Sequence, residues 1–181
     1  LITQGDVEKG FKEADVITEE GFKTGRVYHA QMETKSVVCQ PEADGGITVW
    51  TTTQTIHNVR QVLGEIFQIP LSRVSVKRIS IGGSFGSGIQ MNSAAPVGVA
   101  LALKARRPVK LCLTREEDMH DHCKYPSWIQ LKLGAKKDGT LAAGQMKVVV
   151  DIGAHNTQAY SLLGCMAGWW VSLYELPHLR Y

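Results

Sequence analysis

The chain has 181 residues, of which 44% are apolar and 20% are charged, and its formal net charge is +3. This composition is typical of a globular domain that buries a sizeable core without needing disulfides or a structural metal. The small positive charge, spread over the whole length, gives no footprint of the kind that nucleic-acid-binding proteins show. The longest apolar run, residues 94–103, is about ten residues long, against the roughly 20 that a membrane helix needs. We therefore expect neither a nucleic-acid partner nor a membrane.

The four cysteines favour a reducing compartment. Cys39, Cys112, Cys123 and Cys165 are widely spaced and form no CxxC pair, which argues against a secreted disulfide framework. Their spacing also differs from that of zinc and iron–sulfur ligands. We predict reduced, mostly buried thiols and a cytoplasmic protein.

The first half of the chain predicts a helix, a strand, a hairpin and a second helix. Residues 6–14 place apolar side chains on one helical face, and residues 15–23 read as a strand. The β-branched runs at 36–39 and 47–52 flank Asp44-Gly45-Gly46, a strong hairpin signal. An amphipathic helix follows and ends before Pro70. Its apolar face is formed by Ile56, Val59, Leu63, Ile66 and Phe67.

The second half predicts more alternation of strands and helices. A strand at 74–81 leads into a glycine-rich segment, and a helix begins near Asn92 or Ser93, either of which can cap it, and ends near Arg106. A strand at 108–114 and a hairpin of 128–133 with 141–150 complete the assignment, while residues 151–181 show no clear period. No repeat or linker interrupts the chain. We predict a single domain over residues 1–181, of mixed α/β (α+β) class.

The glycine-rich segment is the most informative local feature. Residues 82–88 hold four glycines in seven residues, between a strand and a helix, so the backbone can come close to a ligand. The helix N-terminus beyond it suits a phosphate or an oxyanion. The segment matches neither a Walker A loop nor the dinucleotide GxGxxG register. From the residues alone, a tight turn without a ligand is an equal alternative.

Other side chains carry weaker signals. Gln54, just after a strand, can donate a hydrogen bond to a bound group, although a solvated glutamine is the ordinary alternative. His29 with Glu33 offers too few ligands for a metal, and we expect a structural hydrogen-bonding role. The ligand candidates in the tract 120–123 (HDHC) are too close together in sequence for a good tetrahedral metal site. The pair Trp169-Trp170 is typical of a packing or interface element.

Six segments in order resemble one family, and together they cover nearly the whole chain. The resemblance is to the molybdenum hydroxylases, the xanthine dehydrogenase and aldehyde oxidase family, and within it to the first molybdopterin-binding domain of the large subunit. The segments are 28–33 (YHAQME), 48–54 (TVWTTTQ), 81–86 (IGGSFG), 107–110 (RPVK), 113–119 (LTREEDM) and 151–154 (DIGA).

The resemblance implies roles for particular residues. Gln54 matches a glutamine that hydrogen-bonds an oxo ligand of the molybdenum in this family. Gly83, Ser84, Phe85 and Gly86 match a loop that lies against the metal and the pterin dithiolene. The resemblance implies no protein ligand to the metal here and no catalytic residue, because the family's glutamate base and substrate-orienting arginine match nothing in the chain and are expected further along.

The implied activity is that of an oxidoreductase that hydroxylates an aldehyde or an N-heterocycle with water as the oxygen source. The cofactor is molybdopterin, and iron–sulfur clusters and FAD are expected on other segments or subunits. The chain is then a fragment of a molybdopterin subunit and is expected to be inactive alone. The alternative is a non-catalytic assembly or binding module of the same fold.

The chain departs from the family pattern at Ser87-Gly88-Ile89, where purine-oxidising members have Gly-Gly-Lys followed by an acidic residue. Ile89 cannot hydrogen-bond a purine. An aldehyde or a less polar heterocycle is therefore at least as plausible a substrate.

Overall fold

The computed structural model describes residues 1–153 and 159–181, which form two compact units: residues 1–26 with 125–181, and residues 27–124. The single domain predicted over residues 1–181 stays a prediction. The described helices are α1 (Val7–Glu13), α2 (Ile56–Phe67), α3 (Ala94–Ala105), α4 (Arg115–Asp121) and α5 (Ala159–Leu173), with a 3-10 turn at Leu71–Arg73. The described strands are β1 (Thr3–Gln4), β2 (Val16–Lys23), β3 (Val27–Tyr28), β4 (Ser36–Pro41), β5 (Ile47–Thr51), β6 (Val74–Arg78), β7 (Val109–Cys112), β8 (Cys123–Lys124), β9 (Ser127–Ala135), β10 (Leu141–Val150) and β11 (His178–Arg180).

Residues 27–124, all of them described, form a four-stranded sheet in the order β6-β5-β4-β7. The predicted hairpin is confirmed, because β4 pairs with β5 antiparallel and the Asp44 carboxylate accepts a hydrogen bond from the Gly46 amide at 2.9 Å. Helix α2 connects β5 to β6, which lie parallel. Its period buries Val59 and Leu63 as predicted, whereas Ile66 is 51% exposed and lies off that face.

Helix α3 packs closely on strand β4 because glycine lies at the contact. A Cβ on Gly98 would lie 2.8 Å from Val37 Cγ1 and 3.0 Å from Cys39 Sγ. The predicted start of the helix is confirmed, since the Asn92 side chain accepts a hydrogen bond from the Ala95 amide at 3.1 Å. The sheet and these helices enclose the core of this unit. Its fully buried side chains include Val37, Cys39, Ile47, Val49, Val59, Leu63 and Val99.

The other unit contains, within its described residues, a five-stranded sheet in the order β1-β11-β10-β9-β2. The predicted hairpin of β9 and β10 is confirmed, as are the first helix and strand β2. Helix α5 and strand β11 are new relative to the sequence assignment. The apolar residues of α5 lie on all sides of the helix, so no amphipathic period marks it; Trp170 is buried with Leu176, whereas Trp169 is 63% exposed.

Several predicted features are corrected by the structure. Strand β6 ends at Arg78 rather than at residue 81, and the polar stretch at 115–121 forms helix α4, capped by Thr114. All four cysteines lie within the described residues and are free, but only Cys39 is buried, while Cys112 and Cys165 are exposed. Across the described part of the chain, no helix is long and apolar enough to cross a membrane.

The contact between α3 and β4 predicts opposite effects of the same substitution in two helices. Gly98→Ala inserts a methyl group into a packed contact and is expected to lower the free energy of unfolding by about 1–3 kcal/mol. Gly164→Ala, in α5, meets no atom within 4 Å and is expected to raise it by about 0.5–1 kcal/mol. Urea denaturation of both variants measures the difference. Equal changes for the two would contradict the close packing at Gly98.

Candidate functional site

The glycine loop, residues 82–88, lies between β6 and α3 and turns its serines inward. Ser84 and Ser87 are buried, whereas Phe85 is 69% exposed. Gly83 and Gly86 have φ of 103° and 102°, a backbone region in which side chains with a Cβ are strained. The loop therefore presents bare backbone and the Phe85 ring at its surface, as the close approach of a bulky ligand requires.

The structure brings Gln54 against this loop. The backbone N–H of Gln54 donates a hydrogen bond to the Gly88 carbonyl at 2.8 Å, and the Thr53 hydroxyl donates to the same carbonyl at 3.2 Å. A Cβ on Gly88 would lie 2.7 Å from Ser84 Oγ and 3.3 Å from the Gln54 nitrogen. The absence of a side chain at Gly88 therefore lets the segment after β5 lie directly on the loop.

The side-chain amide of Gln54 is oriented by Ser84. Ser84 Oγ accepts a hydrogen bond from the Gly88 N–H at 2.8 Å and donates to Gln54 Oε1 at 2.7 Å. Since Oε1 can only accept, the Ser84 proton lies between the two oxygens. Gln54 Nε2, on an exposed side chain, has no partner among residues 1–153 and 159–181. It is thus a free donor beside the glycine loop.

A buried ammonium lies on the inner side of the loop. Lys35 is 4% exposed, and its Nζ donates to Ser87 Oγ at 2.6 Å. Ser87 Oγ in turn lies 3.4 Å from Ser84 Oγ. Burial lowers the pKa of Lys35, while the negative charges of Asp118 and Asp121 oppose that shift. The loop thus has a cationic group directly beneath its buried serines.

Asp118, on α4, holds the segment that carries this lysine. Its carboxylate is 1% exposed and accepts hydrogen bonds from Gln31 Nε2 at 2.6 Å, from the Lys35 N–H at 3.2 Å and from the Tyr28 hydroxyl. Arg115, also on α4, donates to the Gln31 carbonyl at 2.8 Å. Burial and the bond to Asp118 raise the pKa of Tyr28. Residues 28–35 are therefore fixed at several points.

The same segment presents polar atoms that lack protein partners. His29 Nδ1, Gln31 Oε1 and Glu33 Oε1 are buried and make no hydrogen bond in the part of the chain that the structure describes. Burial, with the charge of Lys124, lowers the pKa of His29 and so favours its neutral form. A Cβ on Gly82 would lie 3.4 Å from Glu33 Oε2. The structural hydrogen bond expected for His29 is absent at Nδ1, and these orphaned atoms lie beside the loop.

Two of the N–H groups at the start of α3, where the sequence suggested a place for a phosphate or an oxyanion, have protein partners. The Ser93 N–H donates to Asp121 Oδ1 at 3.0 Å, and the Ala95 N–H is taken by Asn92. Burial acts to raise the pKa of Asp121, but hydrogen bonds from His122 and Ser93 outweigh this effect and hold the pKa below its ordinary value. These two N–H groups are therefore not available to a phosphate.

The tract 120–123 also has a structural role, because His122 Nδ1 lies 2.9 Å from Asp121 Oδ2. Among the described residues, no group of three His, Cys, Asp or Glu side chains could hold a metal ion. The last residue of the segment 151–154, Ala154, lies outside the described residues.

Comparison with known proteins assigns the chain to a family. A family model described as "Molybdopterin cofactor-binding domain" matches residues 1–181, and the chain belongs to this family. It is 37% identical, over 99% of its length, to a probable xanthine dehydrogenase subunit of Bacillus subtilis. It is 28% identical, over 97% of its length, to the nicotinate dehydrogenase large molybdopterin subunit of Eubacterium barkeri. The resemblance found in the sequence is thereby confirmed.

Solved structures agree with this assignment. The aldehyde oxidoreductase from Desulfovibrio gigas superposes with a TM-score of 0.85 and 26% identity, covering 99% of this chain and 20% of that one. The mixed α/β class is confirmed. The chain spans 24% of the length of the Bacillus relative and 41% of the Eubacterium one, so it corresponds to one part of those subunits.

The residues present fit the cofactor that the family binds. Gly83 and Gly86, both at positive φ, leave the loop backbone without side chains between the rings of Phe85 and His29, and the Gln54 donor lies against the same loop. The unpaired oxygens of Gln31 and Glu33 can accept hydrogen bonds from N–H or O–H groups of a bound ligand, and the buried Lys35 adds positive charge on the inner side of the loop. These features suit molybdopterin better than they suit a ligand-free turn.

The sequence analysis missed Lys35, Ser87 and Asp118 as functional residues. The segments holding Lys35 and Asp118 were marked or bordered by the family resemblance, but nothing in their spacing predicts burial. One available signal was the pattern Thr114-x-x-Glu117, which forms a capping box that starts α4 and places Asp118 on its inner face.

The buried position of Asp118 predicts a large effect on stability. Asp118→Asn removes the negative charge that lies 3.6 Å from Arg115. It also turns one of the two acceptor oxygens into a donor, which then faces either Gln31 and Tyr28 or the Lys35 N–H. We expect a loss of about 3 kcal/mol in the free energy of unfolding. Glu116→Gln, on the exposed face of the same helix, serves as the control and is expected to change it by less than about 0.5 kcal/mol. Equal stability of the two variants, measured by urea denaturation, would refute this role of Asp118.

Proposed function

We propose that Gln54 and the glycine loop form the wall of the cofactor site that faces molybdenum. The observation that carries the proposal is the hydrogen bond from Ser84 to Gln54 Oε1, which leaves Nε2 as a donor beside bare backbone. When bound, the molybdenum cofactor supplies the redox chemistry. Gln54 Nε2 donates to the ligand atoms around the metal, and its orientation is set before binding.

The loop residues have complementary roles in this proposal. Gly83 and Gly86 have no side chain that would keep a cofactor away from the backbone. Ser84, on the inner side of the loop, orients the Gln54 side chain by its hydrogen bond to Oε1. Phe85 is exposed, and its ring would shield a bound cofactor from water. Together Gln54, Gly83, Ser84, Phe85 and Gly86 make the cofactor-binding set, and no side chain of the set ligates the metal.

The complete protein is proposed to be a cytoplasmic oxidoreductase that hydroxylates an aldehyde or an N-heterocycle with water as the oxygen source. The relatives named above are called subunits, which supports an assembly with further subunits. We place the catalytic base, iron–sulfur clusters and FAD on other segments or subunits, and we expect the 181-residue chain alone to be inactive. Relatives named as enzymes disfavour the alternative of a non-catalytic module.

The substrate side of the loop is apolar in this chain. Ile89 is 41% exposed, and its backbone carbonyl is held by the Thr55 hydroxyl at 2.6 Å, one residue from Gln54. An exposed aliphatic side chain there offers no hydrogen bond to a ring nitrogen or a carbonyl. This makes an aldehyde or a less polar heterocycle at least as plausible as a purine, although several relatives are named for xanthine.

Replacing the donor of Gln54 tests the proposal. In the complete enzyme, Gln54→Glu places a carboxylate oxygen where Nε2 stands and removes its hydrogen bond. We expect kcat for an aldehyde substrate to fall about 100-fold, as when one preorganised donor is lost. Steady-state kinetics and the molybdenum content per protein measure the effect.

The matched control is Gln40→Glu, which makes the same change on the exposed face of β4. It is expected to keep the rate and the molybdenum content of the unaltered enzyme. If Gln54→Glu behaved like this control, Gln54 would not face the metal.

A further inference from the structure

We propose that Lys35 is a positioning residue that fixes the direction of the Gln54 amide through Ser87 and Ser84. The four side chains form one line: Lys35 Nζ to Ser87 Oγ at 2.6 Å, Ser87 Oγ to Ser84 Oγ at 3.4 Å, and Ser84 Oγ to Gln54 Oε1 at 2.7 Å. The inference rests on the proposed function, because it concerns how the donor that faces the cofactor is aimed.

Lys35 is buried beneath the glycine loop. Lysine is seldom fully buried unless its charge is used, yet Lys35 is 4% exposed. Within the described residues, no carboxylate lies within ion-pair distance of its ammonium, and its short hydrogen bond goes to Ser87. Burying this charge costs free energy, and the hydrogen bond that the ammonium gains in return is with the inner side of the glycine loop.

The ammonium of Lys35 determines in which direction each hydrogen bond of the line is donated. An ammonium only donates, so Ser87 Oγ accepts from Lys35 and its own proton points to Ser84. Ser84 Oγ then accepts from Ser87 and from the Gly88 N–H at 2.8 Å, which uses both of its lone pairs. Its single proton is left for Gln54 Oε1. One cation at the buried end thus sets the polarity of every bond in the line.

The direction of these hydrogen bonds determines which end of the Gln54 amide faces outward. An amide can turn over and exchange its oxygen and nitrogen, since the two ends have nearly the same shape. With the Ser84 proton aimed at it, only the oxygen is accepted on the inner side, and Nε2 faces outward. Without the ammonium, the two hydroxyls can reverse their bonds, and the amide can present its oxygen to the cofactor instead.

The experiment compares six variants of the cofactor-loaded enzyme, two of which, Gln54→Ala and the double variant Lys35→Met/Gln54→Ala, serve as references. Lys35→Met removes the ammonium and keeps an unbranched chain of similar length, and Ser87→Ala removes a single oxygen in case the lysine variant fails to fold. Ser87→Thr keeps the hydroxyl and is the conservative rescue. Lys104→Met, on the exposed side of α3, is the control for loss of a positive charge.

The readouts are the EPR spectrum of the half-reduced molybdenum and the split between kcat and KM. We expect Lys35→Met and Ser87→Ala to lower kcat about tenfold at unchanged KM, as for the loss of one hydrogen bond to a charged group. Both should shift the EPR spectrum in the same way as Gln54→Ala, while Ser87→Thr and Lys104→Met keep the original spectrum. Lys35→Met combined with Gln54→Ala should equal Gln54→Ala alone, because both act through one amide.

The outcomes that overturn the inference are separate from those that overturn the proposed function. If Gln54→Ala shifts the spectrum and Lys35→Met and Ser87→Ala do not, Gln54 faces the metal but is not aimed by Lys35. If the effects of Lys35→Met and Gln54→Ala add in the double variant, Lys35 acts on the metal by its charge alone, and the inference is wrong. If Gln54→Ala itself leaves the spectrum unchanged, the proposed function fails and the inference fails with it.

Discussion

The carboxylate of Asp118 joins two parts of the chain that are distant in sequence. It binds Tyr28 and Gln31, which precede it by 90 and 87 residues, and it also receives the backbone N–H of Lys35. A buried carboxylate is tolerated only when its oxygens are fully used, and here several donors and the nearby guanidinium of Arg115 use them. With the Arg115 bonds to the same segment, this carboxylate holds residues 28–35, and so Lys35, beneath the glycine loop.

The site is built outward from that constraint. Asp118 places Lys35, and Lys35 lies against Ser87 on the inner side of the loop. The two serines of the loop point in, and its glycines leave the outer side bare, so one short segment has a polar inner face and an open outer face. The Gln54 amide lies where the inner hydrogen bonds end and the outer surface begins. In the proposed site, Lys35 and Ser87 set the direction of this donor from the inner side of the loop, through Ser84.

Local patterns were enough to predict much of the fold. The turn residues at 44–46 and the 3.6-residue period of α2 specify their elements without help from the rest of the chain, and both are confirmed. Helix α5 could not be predicted, since apolar residues around its whole circumference leave no period to read. Ile66 fits the period of α2 but lies off the contact face, because the neighbouring strands cover only part of the helix.

The candidate site was predictable to a different extent. The glycine loop and Gln54 could be found because their residue types and order resemble a family, and the structure brings them together. Lys35 and Asp118 could not, since a charged residue is ordinarily read as exposed and only long-range pairing makes it buried. Ser87 is similar: the sequence shows a small polar residue in a turn, and its partner lies 52 residues away.

In the proposed site, the outward donor of Gln54 and the bare backbone of the glycine loop face molybdenum. A crystal structure of the complete enzyme with its cofactor tests this most directly. We expect Gln54 Nε2 to lie within about 2.7–3.2 Å of a ligand atom on the metal, with Gly83 and Gly86 in contact with the pterin dithiolene. Cofactor density away from residues 82–88, or the oxygen of Gln54 turned toward the metal, would contradict it.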